Sequence, residues 1–93
     1  MEDKFIAQWA ENREKALKLG VRIRPVDRET AMKNAHRILG GHRQSDGFAE
    51  LADLGRLDLS LEAIAIDRRF TGLFTDEEAN NALTRLLDAG YRF

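Results

Sequence analysis

The sequence predicts an all-α fold, a small single domain over residues 1–93 with four or five short helices around one core. Three observations carry that expectation. Apolar residues recur at spacings of three and four along most of the chain, the period of a helix with one buried face. Gly20, Gly40, Gly55 and Gly90 each follow such a segment, and a glycine in the left-handed region ends many helices. The pattern Thr75-Asp76-Glu77-Glu78 reads as a capping box ahead of the last segment. A chain of 93 residues makes one domain and buries only about 60–65% of its unfolded surface, so the core is small.

The first helix is expected from about Asp3 to Leu19. Phe5, Ile6, Trp9, Ala10, Ala16 and Leu17 share one face, with Arg13 snorkelling from within it. Glu11–Lys15 and Glu14–Lys18 are i,i+4 pairs in the favourable order. Val21-Arg22-Ile23-Arg24-Pro25 alternates and ends in a proline, which pushes Arg24 towards extended backbone. It reads as a short extended linker. Asp27 is the expected cap of a second helix, with Ala31, Met32, Ala35, Ile38 and Leu39 on its apolar face and Gly40-Gly41 at its end.

His42 to Ser45 is a polar loop. Ser45 or Asp46 is expected to cap a third helix carrying Phe48, Leu51, Ala52 and Leu54, with Gly47 weakening its first turn. Leu57-Asp58-Leu59 alternates like a strand, but Leu61, Ile64 and Ala65 continue at helical spacing. A turn followed by a helix capped by Ser60 is therefore preferred. In the last helix Ala79, Ala82, Leu83, Leu86 and Leu87 form the expected buried stripe. Gly90 closes it, and Tyr91 packs back over its last turn.

Composition excludes several functions. With no cysteine the chain has no disulfide, no thiolate nucleophile and no sulfur-built zinc site. This suits a reducing compartment, and a cytoplasmic location is expected. The acidic start Met1-Glu2-Asp3 is unlike a signal peptide. No apolar run approaches the roughly 20 residues of a membrane span. His36 and His42 are six apart with Gly40-Gly41 between them, so they do not share a helix face as paired metal ligands do. No serine sits in a nucleophile elbow. Gly40-Gly41 lacks the Lys-Ser/Thr pair of a phosphate loop. Glu62, between two apolar residues, reads as favourable charge in the first turn of its helix. No catalytic, cofactor-binding or metal-ligating residue is nominated.

Charge is unevenly spread. Residues 1–44 carry ten Lys/Arg against six Asp/Glu, a net of +4, and residues 45–93 carry five against ten, a net of −5. Arg22, Arg24, Arg28, His36, Arg37, His42 and Arg43 are therefore candidate partner-binding residues, because arginine binds carboxylates and phosphates bidentately. Tyr91 and Phe93 join them as aromatics of the kind enriched at interfaces. The expected function is a non-enzymatic small adaptor, regulator or inhibitor that binds another macromolecule, above all a protein with an acidic surface. The alternative is a nucleic-acid-binding regulator using the arginines of 22–43, although no aromatic lies between Val21 and Gly47 for base stacking. A small hydrolase or nuclease is a third reading, and a homo-oligomer is compatible with all three. The competing structural account is that the arginines pair internally with the acidic half.

Overall fold

A computed structural model describes residues 1–92. It contains five α-helices: α1 (Glu2–Lys18), α2 (Ala31–Gly40), α3 (Phe48–Asp53), α4 (Leu61–Ala65) and α5 (Asp76–Asp88). Tight 3-10 turns occupy Leu57–Leu59 and Arg68–Leu73. No strand occurs among the described residues, so the chain adopts the expected all-α class. Among the described residues no helix is long and apolar enough to cross a membrane.

Two clusters make the core. In the first, Phe5 of α1 meets Phe70 and Phe74 edge-on, with ring centroids 5.4 and 5.1 Å apart, the favoured arrangement of aromatic quadrupoles. Trp9, Ala31, Ala35, Leu39, Leu61, Ile64, Ala65 and Ala82 complete this cluster, which joins α1, α2, α4 and α5. The second cluster gathers Ala16, Val21, Phe48, Leu51, Leu57, Leu59 and Leu86. It ties the end of α1 to α3 and to the last turn of α5.

Local signals act as expected at several points. Thr75 and Glu78 form both bonds of the capping box, and the Ser60 hydroxyl accepts from the Ala63 N–H. The linker alternates as predicted, with Val21 buried, Ile23 half-buried, and Arg22 and Arg24 exposed. Arg13 is anchored rather than merely snorkelled, because its Nε donates to the Ile23 carbonyl at 2.9 Å.

Other expectations fail for physical reasons. Asp27 does not cap α2. Its carboxylate accepts from the Glu29 N–H in a local turn, and the helix starts behind Thr30. Gly40 is helical and Gly41 is extended, so α2 has no left-handed end. Neither Ser45 nor Asp46 caps α3; Gly47 stands at that position. Far from only weakening the turn, Gly47 is required by two features. Its φ is +75°, and an added Cβ would lie 2.6 Å from Val21 Cγ1, inside contact distance.

Leu83 and Leu87 are not buried in the last helix, being 37% and 55% exposed. Leu17 and Leu54 are exposed as well. The inward face of α5 is instead Glu78, Ala82 and Leu86, with Asn81 and Arg85 half-buried beside them. The helix turns polar groups inward because α2 needs them, as follows.

Candidate functional site

α2 runs into Gly41 with extended backbone, φ −87° and ψ −173°. Apart from the Ile38 carbonyl, which accepts from the Gly41 N–H at 3.3 Å, its last carbonyls lack the local partners that a left-handed glycine would bring. α5 supplies them. Asn81 Nδ2 donates to the Leu39 carbonyl at 2.9 Å. Arg85 donates to the Ile38 carbonyl at 3.2 Å and to the Gly41 carbonyl at 2.6 Å. Arg85 also reaches Glu62 at 3.3 Å.

Glu62 is fully buried and continues the network. Its carboxylate accepts from the backbone N–H of Ser45 at 2.9 Å and from the Ser45 hydroxyl. A buried carboxylate is stable only when paired and hydrogen-bonded, and here a guanidinium, an amide and a hydroxyl do so. Glu62 does lie in the first turn of α4, but the helix dipole is the lesser part of its role. Among the described residues no buried side-chain polar atom lacks a partner.

This network pins both ends of the Gly41–Ser45 loop, and the loop forms one wall of a cleft of about 600 Å³. Trp9, Leu59 and Leu61, all buried, form its floor, and half-buried Ile23 and Ile38 flank it. Exposed Arg24, Arg37, His42 and Arg43 stand around it. Among the described residues Asp46 is the one carboxylate lining it, and it is engaged by Arg24. The Arg24 N–H donates to Asp46 Oδ2 at 3.3 Å, and Arg24 Nε lies 3.6 Å from the same oxygen.

Of the residues singled out in the sequence, the structure thus gathers Arg24, Arg37, His42 and Arg43. The side chains of Arg37, His42 and Arg43 form no hydrogen bond or ion pair with another described residue. Arg22 is exposed on the linker but outside the cleft. Arg28 lies apart from it, 3.4 Å from Asp3 at the start of α1. His36 faces α5, with Nδ1 at 2.9 and 2.8 Å from the two Glu78 oxygens. Tyr91 is half-buried against the second core cluster, and Phe93 lies outside the described residues.

Internal pairing with the acidic half therefore accounts for Arg24 and His36 but not for Arg22, Arg37 or Arg43. A second depression on the same loop includes Glu50 and Asp88 with His42, Arg43 and Arg85. Its two acids make it the poorer seat for an anionic group.

Among the ionisable groups shifted outside the cleft are Glu78 and Tyr91. Burial raises the Glu78 carboxyl, but the Thr75 N–H and the His36 ring outweigh it and hold it below the usual carboxylate range. Burial, with the nearby Asp58 charge, pushes the Tyr91 phenol up. Neither group lines the cleft. No cluster of three or more metal-ligating residues occurs among the described residues.

Sequence reasoning missed Trp9 as a cleft residue and Asn81 and Arg85 as supports. The signal for the supports was present. Glu78, Asn81 and Arg85 fall at spacings of three and four alongside Ala82 and Leu86, so a polar stripe adjoins the apolar one. No protein-family model matches this chain, and no curated protein or solved structure matches it significantly.

Proposed function

We propose that the protein is a non-enzymatic adaptor, regulator or inhibitor that binds an acidic surface of a protein partner at the cleft between α1, the linker and the Gly41–Ser45 loop. The observation that carries the reading is the set of uncommitted basic side chains around it, Arg37, His42 and Arg43, over an apolar floor. Apolar contact at the centre with polar groups at the rim is how protein interfaces divide the work. Free guanidiniums lose no internal ion pair when they meet a carboxylate, so the new bond is not offset by an old one.

Binding to nucleic acid is less well supported. Among the described residues Trp9 is the only Phe, Tyr or Trp lining the cleft and is 9% exposed, too covered to stack a base. The chain as a whole is slightly acidic, unlike a dedicated nucleic-acid binder.

The test is capture of partners by the full chain and by an Arg37→Glu, Arg43→Glu variant, with and without nuclease. Capture of one protein that survives nuclease and is lost in the variant supports the reading. Loss on nuclease treatment favours the nucleic-acid alternative. Equal capture by both chains removes the cleft from consideration.

A further inference from the structure

Shape and charge together say more about what enters the cleft. A cleft of about 600 Å³ accommodates a few residues of extended chain, being within the ~300–1,000 Å³ of ordinary ligand sites. A helix about 10–12 Å across with its side chains would lie over such a cleft without filling it. The floor of Trp9, Leu59 and Leu61 is apolar, and it is set below a rim of charges. An occupant bearing charge alone would leave that floor uncovered. One bearing apolar groups alone would leave Arg37 and Arg43 unpaired.

Trp9 adds a second requirement. Its indole N–H donates to no other described residue and is not sealed from solvent. A buried indole N–H normally finds an acceptor, so an occupant that seals this N–H from water is favoured if it brings a carbonyl or carboxylate oxygen. An extended peptide has a backbone carbonyl at every residue.

From these features we infer that the cleft receives a short, extended acidic peptide segment of the partner, with one aliphatic side chain over Trp9 and carboxylates on either side meeting Arg37 and Arg43. This rests on the reading of the cleft as a protein-binding site and names the element that the partner presents. Asp46 has a defined place in the arrangement. Its carboxylate already occupies Arg24 from within the chain, so Arg24 contributes less than the two free arginines.

Trp9 is the only tryptophan of the chain, so its fluorescence reports directly on the cleft. The probe is the peptide acetyl-Asp-Glu-Leu-Asp-Glu-amide, titrated into the full-length protein at low salt, where charge pairing is least screened. Controls are the same peptide with glycine for leucine, its Lys-Lys-Leu-Lys-Lys counterpart, tripolyphosphate and a thymidine oligonucleotide. A saturable change in Trp9 emission is expected for the acidic leucine peptide. The glycine peptide should bind about tenfold or more weakly, the scale of one buried aliphatic side chain. The basic peptide should not bind.

Arg37→Gln with Arg43→Gln should weaken the acidic peptide about tenfold or more, and Arg24→Gln should weaken it less. All three positions are exposed, and circular dichroism confirms that the variants remain folded. Should the double variant unfold, each single variant must show a loss of its own. Equal affinity for the leucine and glycine peptides overturns the inference. So does tighter binding of tripolyphosphate or oligonucleotide, or no saturable response up to millimolar peptide. If the peptide fails while capture of a protein remains sensitive to Arg37→Glu and Arg43→Glu, the segment is wrong and the protein-binding reading stands. If both fail, both fall.

Discussion

α5 and α2 end in opposite ways. At the end of α5, Gly90 takes φ +83° and its N–H donates to the Leu87 carbonyl, while the Tyr91 N–H donates to that of Leu86. Every partner is within five residues. At the end of α2 the Leu39 and Gly41 carbonyls are met instead by Asn81 and Arg85, more than 40 residues away, and Arg85 joins the Gly41 N–H at the Ile38 carbonyl. One end is closed by chain stereochemistry and the other chiefly by tertiary structure. The difference teaches where the cleft gets its shape. Its wall follows the tertiary end, so the cleft exists only when α4 and α5 are docked.

The largest test of that comparison is Arg85→Ala. It would leave Glu62 buried beside Ser45 with no cation, free the Gly41 carbonyl, and leave the Ile38 carbonyl only the Gly41 N–H. Removing one partner of a buried ion pair costs about 3–5 kcal/mol, which urea denaturation would resolve. A loss under about 1 kcal/mol would mean that the α2 end needs no help from α5. In the same variant, hydrogen exchange should quicken at the Ser45 N–H ahead of the α5 amides, since Glu62 alone would hold the loop.

At the local end, Leu86→Ala should cost about 2–4 kcal/mol, because Leu86 is fully buried in the second cluster. Gly90→Ala should cost about 1–2 kcal/mol, the penalty of a left-handed residue with a Cβ. It should leave exchange in the Gly41–Ser45 loop unchanged, as nothing links that glycine to α2. Leu83→Ala, on the exposed side of α5, should change stability by under about 1 kcal/mol. A larger loss there would restore the stripe that periodicity suggested.

The smallest effect concerns acid. The Glu78 carboxyl is held below its ordinary range in the folded chain, so its contribution is present above the unfolded pKa. That contribution is lost as pH falls through the lower, folded value. Glu78→Gln should therefore be less stable than the native chain at neutral pH, with the gap narrowing as pH falls through the acid range. A gap that does not change with pH would mean that the Thr75 and His36 contacts do not favour the charged form.

Much of this was legible in the residues. The capping box, the Ser60 cap, and the turns at Gly20, Gly55 and Gly90, all with positive φ, depend on neighbours a few positions apart. The charge asymmetry was equally plain. Asp27 misled because a short acid serves a turn as readily as a helix cap. Leu83 and Leu87 misled because periodicity counts apolar side chains and cannot weigh a polar face required by a distant helix.

By itself, then, the chain's sequence determined an all-helical domain with most of its boundaries and a basic segment ahead of an acidic one. Those features follow from backbone sterics and nearest-neighbour hydrogen bonds, which act within one turn. Only the tertiary structure decided that Glu62 and Arg85 are buried partners. It also decided that Arg24, Arg37, His42 and Arg43 surround one cleft while Arg28 and His36 do not. The reason is that a buried polar group must find its partner in space. For Glu62 that partner is 23 residues further along the chain, on a helix whose own orientation is set by the carbonyls it must satisfy.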